Sequence, residues 1–210
     1  GWAEQAILSP SGGAASDWNG SSVAISGDGT TIVSGANHDD VGGNSDQGSA
    51  TVFVLSDGTW SEQATLTQST GTTNAYFGES AAISENGNTI AVGAYMDRQD
   101  SDATGAVTVF TFSDGTWTEQ QILYKSDAGH GDQFGESMAI SADGNTIIVG
   151  ATTDTVGSNS QQGTATVFTR TDGTWTEQQI LTQSDGAASD NFGTSVALSD
   201  DGTTALVGAP

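Results

Sequence analysis

The sequence predicts an all-β protein: four-stranded antiparallel blades of the β-propeller type, set in tandem as an incomplete ring or open array. Three observations point there. A tryptophan-led motif recurs four times with a period of about 57 residues, short apolar runs alternate with Asp-Gly and Asn-Gly turns, and no segment sustains a helical 3.6-residue period.

The repeat is read first. Trp2, Trp60, Trp117 and Trp175 open the segments WAEQAIL, WSEQATL, WTEQQIL and WTEQQIL, separated by 58, 57 and 58 residues. Gly20, Gly78, Gly135 and Gly193 keep the same spacings, and each precedes a small apolar run: SSVAIS, ESAAIS, ESMAIS or TSVALS. Residues 1–210 therefore form one array, with units near 1–58, 59–115 and 116–173 and a partial unit over 174–210.

Each unit supplies four strands in order. The first is the run just named. Asp28-Gly29, Asn86-Gly87, Asp143-Gly144 and Asp201-Gly202 follow it, and a two-residue type I′ turn with both φ values positive is expected there. The second strand is TIVSGA, TIAVGA, TIIVGA or TALVGA, and a Gly/Asp/Asn/Ser-rich loop leads to the alternating third strand (ATVFVL, AVTVFTF, ATVFTR). Asp57-Gly58, Asp114-Gly115 and Asp172-Gly173 then turn the chain into the tryptophan-led fourth strand. Four antiparallel strands repeated radially are the plan of a propeller blade.

The count comes to fifteen strands, the Trp2 segment being a fourth-type strand without a third-type partner in its set. Three arrangements are open: a piece of a longer propeller, a near-complete four-bladed ring clasped by the Trp2 strand, or a subunit whose open blade a neighbouring chain completes. An unpaired edge beside an apolar sheet is a template for further pairing.

Phe77-Gly78, Phe134-Gly135 and Phe192-Gly193 stand before first strands, and Gly35-Ala36, Gly93-Ala94, Gly150-Ala151 and Gly208-Ala209-Pro210 close second strands. In this the chain resembles the FG-GAP repeat, the blade unit of integrin α-chain propellers and of many prokaryotic surface proteins. The first unit departs from the pattern with Asn19-Gly20. The resemblance implies an extracellular or cell-surface binding or adhesion module, commonly in a seven-bladed ring. The family's calcium loop does not carry over, because its place here holds only GDG, ENG, ADG or DDG, too short to wrap the roughly six to eight oxygens calcium takes.

Charge narrows the partners. Against 26 Asp+Glu stand 3 Lys+Arg (Lys125, Arg98 and Arg170), for a net charge of -23. Such a surface repels phosphate backbones, which excludes nucleic acid as a partner, and it suits a salt-rich, extracellular prokaryotic medium that screens self-repulsion. The chain has no cysteine and no apolar run near the ~18 residues that span a bilayer. Its first residues do not read as a signal peptide.

No catalytic constellation emerges. His38 and His130 fall in different loops of different units, and no Gly-x-Ser-x-Gly elbow is present. Most carboxylates sit at repeating turn positions, whereas a glycosidase-type pair would stand out as an exception to the repeat. The loops after the second strands gather Asp39, Asp40 and Asp46, then Asp97, Asp100 and Asp102, with a single Asp154 in the third unit. As hard oxygen ligands these six loop acids of the first two units are candidates for calcium, and otherwise solvated loops; no other cofactor is expected. Asp17, Asp132 and Asp190 recur shortly before the FG position, as expected of side chains that bond turn N–H groups. The periodic tryptophans fit packing between blades better than a sugar platform. Asn19-Gly20-Ser21 is a candidate N-glycosylation site.

The expectation is a non-catalytic binding or adhesion module, not an enzyme, whose loops take a protein or glycan ligand. The alternative is a structural subunit of an extracellular fibre or surface layer that self-associates through its open blade. A carbohydrate-active propeller enzyme is the third reading.

Overall fold

A computed structural model describes residues 1–99 and 102–210. The described residues contain strands and no helix. The first sheet runs β1 (Asn19–Ile25), β2 (Thr31–Ala36), β3 (Ser49–Ser56) and β4 (Thr59–Leu66), each paired antiparallel with its sequence neighbour. The second has β5 (Phe77–Ile83) and β6 (Thr89–Ala94), then β9 (Ala106–Ser113) and β10 (Thr116–Leu123). A two-residue-armed hairpin, β7 (Arg98–Gln99) with β8 (Asp102–Ala103), interrupts its middle loop. The third comprises β11 (Phe134–Ile140), β12 (Thr146–Ala151), β13 (Thr164–Thr171) and β14 (Thr174–Leu181). A half-sheet of β15 (Ser195–Leu198) and β16 (Ala205–Gly208) follows, and the array is not closed into a ring.

Two expectations need correction. The Trp2 segment forms no strand, and Trp2 is fully exposed. A fourth-type strand pairs with a third-type one, and β3, β9 and β13 are already taken by β4, β10 and β14. The first hairpin is also not type I′. Only its glycines have positive φ (Gly29, Gly87, Gly144 and Gly202), and the closing bond runs from Ser26 N to Thr31 O at 2.9 Å, leaving a four-residue loop. Asp28 stays out of the left-handed region because its carboxylate accepts Ser26 Oγ at 2.6 Å and Thr30 N at 2.9 Å. The type I′ geometry appears instead at the other hairpin, where Asp57 and Gly58 have φ of 51° and 76°.

The FG-GAP residues make the joints between blades. Gly35, Gly93 and Gly150 each lie against the carbonyl of the FG glycine in the following blade. A Cβ on them would meet Gly78 O at 2.0 Å and Gly135 O or Gly193 O at 2.1 Å. The hydroxyls of Ser22, Ser80 and Ser137 donate to the same three carbonyls at 2.6–2.7 Å. The FG phenylalanines plug the spaces between sheets: Phe77 and Phe134 are wholly buried, about 6 Å from Phe110 and Phe168 respectively. Each such ring contributes about 2–3 kcal/mol of burial. At the inner hairpins Gly27 N bonds Glu85 O, Glu85 N bonds Ala142 O, and Ala142 N bonds Asp200 O, at 2.9–3.0 Å, so one backbone ladder links all four units.

Candidate functional site

Strand direction sorts the loops onto two edges. The starts of β1 and β3 and the ends of β2 and β4 share one edge, which therefore carries the long loops, while the DG hairpins occupy the other. The hairpin edge is acidic, and its Asp28, Asp143 and Asp201 carboxylates are bonded within their own turns. Asp28, Asp143 and Asp201 line a recess of about 670 Å³ together with Glu85 and Asp200. Hydrogen bonds from Ser26, Ser141 and Ser199, then from the backbone of Thr30, Asn145 and Thr203, hold the first three carboxyls below their usual pKa.

The long-loop edge is where the blades differ. Trp18 and Tyr76 directly precede the FG position in the first and second units, with φ of 57° and 56°. His38 and Tyr95 follow β2 and β6. The four rings form one row: Trp18 to His38 at 4.3 Å, His38 to Tyr76 at 5.1 Å, Tyr76 to a stacked Tyr95 at 5.4 Å. Trp18 is 63% exposed. The third unit has Gln133 before the FG position, Thr152 at the place of Tyr95 and Thr153 at that of His38, so the row belongs to the first two blades alone. Burial, then the nearby Glu79 carboxylate, raises the Tyr95 phenol above its usual pKa and keeps it a neutral hydrogen-bonding group. Beside Trp18 an open groove of about 610 Å³ is walled by Ser16, His38, Asp40, Ser45 and Asp46. Sequence reasoning missed this row. Its signal was available, as an aromatic before FG in two units only.

The candidate calcium ligands do not converge. Asp39 accepts Ser49 Oγ at 2.6 Å, Asp40 accepts Asp46 N at 2.9 Å, and Asp46 pairs with His38 Nδ1 at 2.8 Å. Asp97 is buried and accepts Gln68 Nε2 at 2.8 Å, whereas Asp102 is exposed in β8. Asp100 lies outside the described residues. Among the described residues no three acidic or histidine side chains are placed to share one ion. The described hydrogen bonds put no serine or threonine hydroxyl on the second nitrogen of His38. Asn19 is exposed at the head of β1, where its Oδ1 accepts Ser34 Oγ. Asp17, Asp132 and Asp190 bond turn N–H groups, those of Ala14, Gly129 and Ala187, at 2.5–2.7 Å.

One buried charge went unnoticed in the sequence. The Lys125 side chain is wholly buried, its ammonium on Asp154, 3.1 Å from Asp132 and 3.2 Å from Asp127. Burial alone would lower its pKa, but the Asp154 hydrogen bond and the three carboxylates outweigh that and raise it. The equivalent positions hold Pro10, Gln68 and Gln183, so a lone lysine in a glutamine position was the clue.

Comparison with known proteins follows the same pattern. The FG-GAP repeat profile matches residues 2–53, 60–110, 117–168 and 175–210. No curated protein sequence matches the chain. Among solved structures, the hydrazine synthase of Kuenenia stuttgartiensis is similar with a TM-score of 0.56 at 16% identity, over 96% of this chain and 45% of that one. A putative 6-phosphogluconolactonase from Bacteroides uniformis gives 0.55 at 15% identity, over 89% of this chain and 46% of that one. The chain thus spans less than half of either, and at such identity the likeness shows the fold alone.

Proposed function

Because the chain belongs to the FG-GAP repeat family, we propose that it is a non-catalytic binding module of an extracellular or cell-surface protein, and that its long-loop edge selects a protein or glycan partner. The observation that carries this is the row Trp18–His38–Tyr76–Tyr95, which breaks the repeat where packing does not require aromatics and leaves Trp18 in solvent. Flat rings flanked by the carboxylates of Asp40 and Asp46 suit a ligand with apolar faces and outward hydroxyl or amide donors. The test is a printed array of glycans and extracellular proteins probed with the chain and with a Trp18→Ala/Tyr76→Ala double variant. Binding that the variant loses while keeping its circular dichroism supports the reading. Equal binding by both, or hydrolysis of an arrayed glycan, overturns it.

A second reading, a structural subunit of a fibre or surface layer, is favoured by a different observation. Leu206 is 74% exposed where its equivalents Val33, Ala91 and Ile148 are fully buried, and Val23 and Ile25 on β1 are also uncovered. Further blades at the two ends of the array, whichever chain supplies them, would cover these apolar faces. Light scattering of the purified chain separates a monomer from an ordered assembly.

A further inference from the structure

We propose that Asp17 and Asp39 of the first sheet hold a hard, oxygen-liganded cation in the place that the Lys125 ammonium fills in the third. This is independent of the ligand surface proposed above. The repeat supplies its own comparison structure. Asp17, Asp39 and Ser49 stand at the positions of Asp132, Asp154 and Thr164, and the carboxylates are held by the same bonds. Ser49 Oγ donates to Asp39 Oδ2 at 2.6 Å, as Thr164 Oγ1 does to Asp154 Oδ2 at 2.7 Å. Ala14 N donates to Asp17 Oδ2 at 2.5 Å, as Gly129 N does to Asp132 Oδ2 at 2.6 Å.

In the third sheet those two carboxylates close on an ammonium. In the first the lysine position is Pro10, and a cavity of about 60 Å³ remains between Pro10, Asp17, Asp39, Ser49 and Thr51. A water takes about 30 Å³ in the liquid, so the space has room for an ion and at least one water. Asp17 is 8% exposed, and among the described residues no basic side chain pairs with it or with Asp39. Asp39 is half-buried and the cavity opens past the exposed Gly12 and Gly13, so an ion can enter, and placed between the two carboxylates it would relieve their mutual repulsion. The second sheet agrees. Alanine (Ala75) replaces the first acid there, only Asp97 is left, and the neutral amide of Gln68 meets it. The third sheet's acid pair thus has a cation and the second sheet's single acid a neutral amide. Two carboxylates and two hydroxyls are donors for an alkali or alkaline-earth ion.

The test follows thermal unfolding of the whole chain in tetramethylammonium chloride, adding KCl or CaCl2 at constant ionic strength, with calorimetric titration alongside. One of the two ions is expected to bind one-to-one in this sheet and to raise the midpoint saturably, and which ion does so identifies the class. Pro10→Lys should unfold at a higher temperature without added ion and bind the ion at least tenfold more weakly. Asp17→Asn should lose the response without that gain. The inference is overturned if all salts act alike at equal ionic strength, or if Pro10→Lys binds the ion as the parent does. The second comparison stands even if Asp17→Asn fails to fold.

Discussion

Gln63 and Trp117 are joined across a blade boundary: the glutamine Oε1 accepts the indole N–H at 2.8 Å. The pairing of β3 with β4 explains why this glutamine is available. Phe53 faces Glu62 and Val52 faces Ala64, so Gln63 is the extra residue of a β-bulge. The same slip frees Gln120, which accepts Trp175 Nε1 at 2.9 Å, and Gln5 accepts Trp60 Nε1 at 3.2 Å. Trp117 and Trp175 thus tie their blades to the one before, and Trp60 ties the first blade to the N-terminal segment. Removing one such bond by Gln63→Ala should cost about 1 kcal/mol, a fall of about 2–4 °C in the unfolding midpoint for a chain of this size. A double-mutant cycle with Trp117→Phe should show positive coupling, and strict additivity would mean the bond contributes nothing.

The Lys125 cluster makes a larger prediction. Lys125→Met leaves Asp132 and Asp154 buried without their cation, a loss of about 3–5 kcal/mol. The folded-state pKa of Lys125 is raised, so its contribution is complete below the ordinary value of 10.5 and disappears as pH climbs through the folded value. Denaturant titrations at rising alkaline pH should show the parent converging on the variant above pH 10.5. A constant gap between them would refute the assignment.

Glycine contacts at the joints predict strong position dependence. Gly93→Ala places a methyl group 2.1 Å from the Gly135 carbonyl, a backbone atom that cannot step aside. A loss of about 3 kcal/mol or failure to fold is expected. Gly12, with no atom within 4 Å of its would-be Cβ, should accept alanine within about 0.5 kcal/mol. Equal tolerance at both sites would show that the joint is looser than described.

The hairpin carboxylates set the acid limb. Asp28, Asp143 and Asp201 have depressed folded-state pKa values, so their stabilisation is present above the ordinary 3.8 and fades as pH falls through the lower folded values. Asp143→Asn should flatten the decline in stability below pH 3.8, read from denaturation midpoints at stepped acid pH. An unchanged acid limb would assign the pH dependence to other carboxylates.

Local chemistry settled much of this protein. Alternation of apolar residues, paired DG turns and the recurrence of Trp, FG and GA in one register determined the strands, their order and the family, because each depends on residues near in sequence. The Asp57-Gly58 turn was legible for that reason. The Asp28-Gly29 turn was misread, because its shape depends on Ser26 and on the bond that Gly27 makes to Glu85 of the next blade. Trp2 was misread as a strand because a strand exists only with a partner. Tertiary structure alone decided which loop residues meet: Trp18 with Tyr76 through His38, Asp39 with Ser49 instead of Asp40 or Asp46, and Lys125 with Asp154. Those contacts join loops of adjacent blades or opposite ends of one long loop. Radial stacking brings them together, and no local pattern in the chain encodes that distance.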